Sequence, residues 1–186
     1  MNPTAPPTVV IVPGMRDHVP AHWQTILSSE IASSRTVPPL TSDRLSCDAQ
    51  VAALDDILSD LSGPVVLVAH SAGVMTTVHW AHRHSRPIRG ALLATPPDFD
   101  TPLPAGHATP EVLRENGWTP VPRGPLPFPS IVAASTNDPL AGIDRVARLA
   151  RAWGSRFVDL GPVGHLNPAS GHGEWPRARE FVRELS

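Results

Sequence analysis

The sequence predicts an α/β domain, a mainly parallel central sheet with helices on both faces. Two observations carry that prediction. Short apolar runs alternate with stretches of helical periodicity along the chain, the pattern of strand–helix–strand units. The strongest of these runs are apolar without alternation, as strands covered on both faces must be. A length of 186 residues, 41% of them hydrophobic, suits one well-packed domain over residues 1–186.

The elements follow in order. Thr8-Val9-Val10-Ile11-Val12 is a β-branched run stopped by Pro13-Gly14, hence a strand and a turn. Residues 21–33 place Trp23, Ile26, Leu27 and Ile31 near helical spacing. Residues 47–61 form a clearer helix: Val51, Leu54, Ile57, Leu58 and Leu61 share a stripe, and Gly63-Pro64 ends it. Val65-Val66-Leu67-Val68-Ala69 is the most strand-like run in the chain, and a helix over 72–84 follows it. Residues 88–94 and 130–134 read as two further buried strands, with a helix over 141–153 after the second. A last strand over 156–160 precedes a closing helix over 177–185, with Phe181, Val182 and Leu185 on one side. Ten of the 23 prolines fall between Pro96 and Pro129, marking one long loop region rather than a disordered chain.

Composition removes several function classes. A formal net charge of −2 offers no basic field for nucleic acid. Cys47 is the single cysteine, so neither an intrachain disulfide nor a thiolate cluster can form. It has no strand before it and no turn glycine after it, which reads as a plain buried or surface thiol. No apolar run approaches the roughly 20 residues of a membrane span. Residues 1–8 are polar and Pro-rich and lack the basic start and apolar stretch of a signal peptide, so the expected compartment is the cytoplasm. His79, His82 and His84 suggest a metal site at first sight. On a helix 79 and 82 share a face, 84 does not sit with both, and no carboxylate completes a set. A solvated helix face is the expectation, with no metal and no other cofactor. Monomer and homodimer both remain open.

Ligands of parallel sheets bind beyond the carboxyl ends of the strands. Three of the predicted strand ends carry a reactive side chain. The first is Ala69-His70-Ser71-Ala72-Gly73, a nucleophile elbow of the G-x-S-x-G type in which Ala69 replaces the first glycine. Its bland counterpart is a serine capping a helix. The second is Ser135-Thr136-Asn137-Asp138-Pro139, an acid fixed before a proline. The third is Gly161-Pro162-Val163-Gly164-His165, a histidine on a glycine-rich loop. Taken singly, Asp138 is an ordinary turn residue and His165 a surface histidine. Taken in chain order they are Ser, Asp and His after successive strands, the order of α/β-hydrolases. Ser71 is then the expected nucleophile, His165 its general base and Asp138 the orienting acid. The expected oxyanion donors are the N–H groups of Ala72 and of Met15, although Gly14 and Arg16 in the same loop remain open. His172, in a second glycine-flanked loop, competes with His165 but lies further from the last strand. His70 should point away from Ser71 into a structural contact.

At these residues the chain resembles the RBBP9/YdeN family of small serine hydrolases. The matching pieces run nearly end to end. They are Pro13-Gly14, His22-Trp23-Gln24, His70-Ser71-Ala72-Gly73 and Ala94-Thr95-Pro96-Pro97-Asp98. Further along come Pro125-Leu126-Pro127-Phe128-Pro129, Ser135-Thr136-Asn137-Asp138-Pro139, Gly164-His165-Leu166-Asn167 and Ser170-Gly171-His172-Gly173-Glu174-Trp175-Pro176. The resemblance implies a compact α/β-hydrolase fold with little or no lid, and the triad Ser71, Asp138 and His165. Met15-Arg16-Asp17-His18 departs from the polar or small residue many relatives carry after Pro-Gly, so substrate preference is expected to differ there.

The expected reaction is hydrolysis of a small-molecule carboxylic ester, or of an amide or thioester, through an acyl-serine, with activity falling at low pH as His165 is protonated. The rivals are a binding protein on the same scaffold, and a transferase or cyclase in which another acceptor replaces water. Trp118, Leu166 and Trp23 are the expected pocket residues, with Phe99 a weaker candidate. Without a long insertion, the pocket is expected to be shallow and to suit short acyl groups.

Overall fold

The apolar runs pair into one parallel sheet. The structure, a computed structural model, describes residues 6–16 and 19–186. The start of the chain and the Asp17-His18 part of the departing loop therefore lie outside the described residues. The strands are Thr8–Val12 (β1), Ser34–Thr36 (β2), Val65–His70 (β3), Gly90–Ala94 (β4), Ser130–Ala134 (β5) and Arg156–Asp159 (β6). Their spatial order is β2-β1-β3-β4-β5-β6, every neighbouring pair parallel.

The helices are Trp23–Glu30 (α1), Cys47–Ser59 (α2), Ala72–Ala81 (α3), Pro110–Glu115 (α4), Ile143–Ala152 (α5) and Arg177–Glu184 (α6). Strand side chains alternate between two cores. Val10, Leu67, Leu93 and Val132 pack with α2, α3 and α5 on one face. Their neighbours Val9, Val66, Val68, Leu92 and Ile131 pack with α1 and α6 on the other. β3, β4 and β5 are buried at every position, which is why their sequences show no alternation.

The chain steps from β1 to β2 in one direction, then returns through α2 to β3 on the other side of β1. Order reverses there, and at such a switch point the loops after the two strands diverge and leave a crevice. Gly14 and Ser71 follow β1 and β3 and face each other across it. A Cβ placed on Gly14 would lie 3.2 Å from that of Ser71.

Two elements depart from the sequence reading. β2 is a three-residue polar edge strand, Ser-Arg-Thr, registered on Val9 to Ile11. α4 interrupts the proline-rich stretch, capped by Thr109 Oγ1, which accepts from the Val112 N–H at 3.4 Å, with Pro110 in its first turn. The segment from β4 to β5 thus folds over the carboxyl end of the sheet as a wall with one short helix.

Candidate active site

The elbow is built from a tight contact. Ser71 takes φ 56° and ψ −129°, and its N–H donates to the Ala94 carbonyl of β4 at 3.0 Å. α3 begins at once and passes so close to the end of β1 that a Cβ on Gly73 would sit 2.2 Å from the Val12 carbonyl oxygen. Only glycine fits there. The Ser71 hydroxyl does not cap α3; it points instead to His165, whose Nε2 lies 2.8 Å away.

His165 is held from both ends. Its Nδ1 lies 3.0 and 2.9 Å from the two carboxylate oxygens of Asp138. A carboxylate only accepts, so Nδ1 carries the proton and Nε2 is free to accept from the Ser71 O–H. The Asp138 side chain is 2% exposed and that of His165 9%. The Leu140 N–H donates to Asp138 Oδ1 at 2.9 Å, fixing the carboxylate in its turn. On the backbone side, the His165 N–H donates to Ser170 Oγ and its carbonyl accepts from His70 Nε2, each at 2.9 Å. Gly164, at φ +58°, approaches Ser170 so closely that a Cβ would lie 2.6 Å from its hydroxyl.

Sequence reasoning names these three residues, and the structure brings them into one hydrogen-bonded line. His172 lies beyond the short 3-10 turn Pro168–Ser170, its N–H bonded to the Asn167 carbonyl. Ala72 and Met15 both border the cavity at Ser71. Ala72 opens α3, where a backbone N–H has no intrahelical partner.

The expected pocket residues need correction. Trp118, Leu166 and Trp23 are buried in the core and none of them lines the cavity. The Trp118 indole donates to the Leu45 carbonyl at 2.6 Å and stands against Phe99, ring centroids 5.7 Å apart. Trp23 stands edge-on to His70 and Trp175, under α1 and α6. Leu166 turns into the same core at φ 48°. These large apolar side chains gain more from burial than a wet wall offers. The walls draw Phe99, Leu103, Ala108 and Leu113 from the β4–β5 segment, Leu140 from the acid loop, and His22, Gln24, His70, Asn167 and Pro168 from the start of α1, the end of β3 and the histidine loop. The cavity measures about 300 Å³, roomier than the shallow pocket the sequence suggests, because the β4–β5 segment adds Phe99, Leu103, Ala108 and Leu113 to its wall.

Several supporting groups escape the sequence reading. Asn137 Oδ1 accepts from the Gly164 N–H at 2.6 Å and from Ser135 Oγ at 2.9 Å, tying the acid loop to the histidine loop. Gln24 Nε2 donates to the carbonyls of Val12 and Val68, at 3.2 and 2.9 Å, and anchors α1 at the ends of β1 and β3. Asp98 accepts from Arg145 Nε at 2.7 Å and Nη2 at 3.2 Å, and its own N–H donates to the Leu140 carbonyl at 2.9 Å. Asn137, Gln24 and Asp98 stand inside recognisable motifs; Arg145 has no local signal at all.

The remaining titratable candidates are structural. Burial pushes the His70 imidazole well below its ordinary pKa, and the neighbouring His165 and His22 act in the same direction. His79 is buried rather than solvated, which corrects the expectation for its helix face: its Nε2 donates to the Trp118 carbonyl at 3.1 Å. Burial pushes the Cys47 thiol up to about 11, far from a thiolate at neutral pH. Among the described residues no group of three His, Cys, Asp or Glu side chains is arranged as metal ligands. Among the same residues no helix is long and apolar enough to cross a membrane.

Comparison with known proteins bears on the family and the fold. The family model described as "Serine hydrolase" matches residues 9–184. A structure described as a putative YdeN-like hydrolase from Pectobacterium atrosepticum is 30% identical, with TM-score 0.78, over 96% of this chain and 91% of that one. The ydeN gene product of B. subtilis is 18% identical with TM-score 0.74, over 96% and 98% of the two chains. RedJ, a thioesterase of prodiginine biosynthesis in Streptomyces coelicolor, is 18% identical with TM-score 0.61, over 97% and 89%. The last two likenesses speak for the fold alone. No curated protein sequence matches the chain. With a family match over nearly its whole length, and a YdeN-like hydrolase at 30% identity, the chain belongs to the serine hydrolase family of the RBBP9/YdeN type, on an α/β-hydrolase fold.

Proposed function

We propose that the protein hydrolyses a small-molecule carboxylic ester through an acyl-Ser71 intermediate, with His165 as general base and acid and Asp138 as its orienting carboxylate. The observation that carries this reading is the unbroken line of hydrogen bonds from Asp138 through His165 to the Ser71 hydroxyl. A serine hydroxyl alone is a weak nucleophile. As Ser71 Oγ attacks the carbonyl carbon, its proton passes to His165 Nε2, and the imidazolium is stabilised by Asp138. The carbonyl oxygen becomes an oxyanion, met by the Ala72 N–H and an N–H of the loop at Met15; each such donor lowers the barrier by about 3 kcal/mol. When the tetrahedral species collapses, the bond to the leaving oxygen breaks and that oxygen takes the proton from Nε2. Water then repeats the sequence on the acyl-serine. Amides and thioesters fit the same steps.

The test is a fluorophosphonate probe with Ser71→Ala as control. Wild type should label, and the variant should lose both labelling and at least about 10⁴-fold in ester kcat/KM. A folded wild type that does not label sinks the enzyme reading in favour of a binding scaffold. Labelling that survives Ser71→Ala sinks the choice of nucleophile.

A further inference from the structure

We propose that the substrate carries an apolar acyl group of roughly six to eight carbon atoms on a small polar leaving group, an inference that rests on the reading of Ser71 and His165 above. The cavity has two unlike halves meeting at Ser71. One half is walled by Phe99, Leu103, Ala108 and Leu113, which belong to or pack against the core of α2, α3 and α5. The other half sets the polar side chains of His22, His70 and Asn167 among the apolar Val19, Pro168 and Ala169, with His70 Nε2 bonded to the His165 carbonyl.

His165 decides which half takes which part of the substrate. It approaches Ser71 from the polar half. Its carbonyl is bonded to His70 Nε2, and the His70 ring stands 5.9 Å from Trp23, in the core beneath α1 and α6. His165 must hand its proton to the departing oxygen, so the leaving group lies on that side of Ser71. The acyl group is left with the apolar half. A long alcohol placed there would carry the departing oxygen away from Nε2.

Size follows from the walls. About 300 Å³, at roughly 30 Å³ per water-sized group, holds about ten such groups across both halves. Phe99, a wall of the apolar half, is backed by the fully buried Trp118 and has no room to swing aside, which sets an upper limit on chain length. A short acyl group would leave this chamber unfilled, and each methylene that enters it should raise kcat/KM about fourfold.

The experiment is a series of p-nitrophenyl esters from acetate to hexadecanoate on the wild type, run beside titration of Ser71 with a small ethyl fluorophosphonate. The expected kcat/KM rises from acetate to an optimum between hexanoate and octanoate and falls steeply by hexadecanoate. Ethyl octanoate should be cleaved faster than octyl acetate, which reverses the two halves. Ala108→Phe, which fills the chamber, should cut the octanoate-to-acetate ratio at least tenfold. A protein that labels but prefers acetate, gains steadily through hexadecanoate, or favours octyl acetate overturns the chamber assignment and leaves the nucleophile standing. A folded protein that neither labels nor cleaves any ester overturns both together.

Discussion

Ser71 sits in a backbone region that costs a non-glycine residue about 1–3 kcal/mol, and the surrounding contacts must over-determine it. They do so by strand pairing on one side and close approach on the other. The Ser71 N–H is committed to β4, and α3 lies against the end of β1 with no room for a side chain at Gly73. The atoms a Cβ would meet there are the Val12 and Pro13 carbonyl oxygens, at 2.2 and 2.5 Å, which are backbone and cannot swing aside. Gly73→Ala should therefore force α3 away from β1, destabilising the fold by about 3 kcal/mol in urea titration and lowering activity as well. A stable, active Gly73→Ala protein would show that the turn is less constrained than these contacts imply. Ala69, by contrast, points within β3 and is fully buried, so the elbow tolerates a methyl at that position.

At the scale of elements, the acid loop is tethered from outside the triad. Asp98 follows β4 with its side chain only 5% exposed, and Arg145, on α5, grips it. Burial alone would raise the Asp98 pKa, but hydrogen bonds from Arg145, Thr101 and the Asp100 N–H outweigh it and hold the carboxyl below its usual range. Asp98 and Asp138 also meet through Leu140, whose carbonyl accepts from the Asp98 N–H and whose N–H donates to Asp138. Arg145→Ala should thus loosen Asp138 and reduce kcat by about 10- to 100-fold with KM little changed, and Arg145→Lys should recover part of the loss. An unchanged kcat in Arg145→Ala would reduce the ion pair to a surface feature. None of this coupling is legible in sequence, because α5 and the β4 loop are distant in the chain. What is legible follows a simple rule: β3, β4 and β5 read as strands since every position is buried, and the triad reads from its place after strands. β2 does not read as a strand, since its Ser-Arg-Thr has no apolar face. The pocket does not read either, because apolarity marks Trp23, Trp118 and Leu166 as buried without saying whether behind the wall or on it.

Across the whole molecule, two buried histidines link the fold to pH. His70 lies beside the core under α1 and α6, and His79 packs on Trp118 in the opposite core. Burial lowers the pKa of both below the ordinary histidine value. In the unfolded chain each takes up a proton near pH 6.5, whereas in the folded protein each stays neutral to lower pH. Between those values the unfolded state binds more protons, so stability is fully present above about pH 6.5 and declines as pH falls toward the folded values. One such histidine contributes a slope of about 1.4 kcal/mol per pH unit over that window. Asp98 adds a decline of the same sign at more acidic pH, once the medium falls below the unfolded carboxylate value. His70→Gln removes one proton uptake while keeping an N–H to offer the His165 carbonyl. Urea midpoints of the wild type should fall between pH 7 and pH 5, and the variant should show a visibly shallower fall. An equal slope in His70→Gln would mean that His70 protonates as readily folded as unfolded, contrary to its burial against His22, Trp23 and His165.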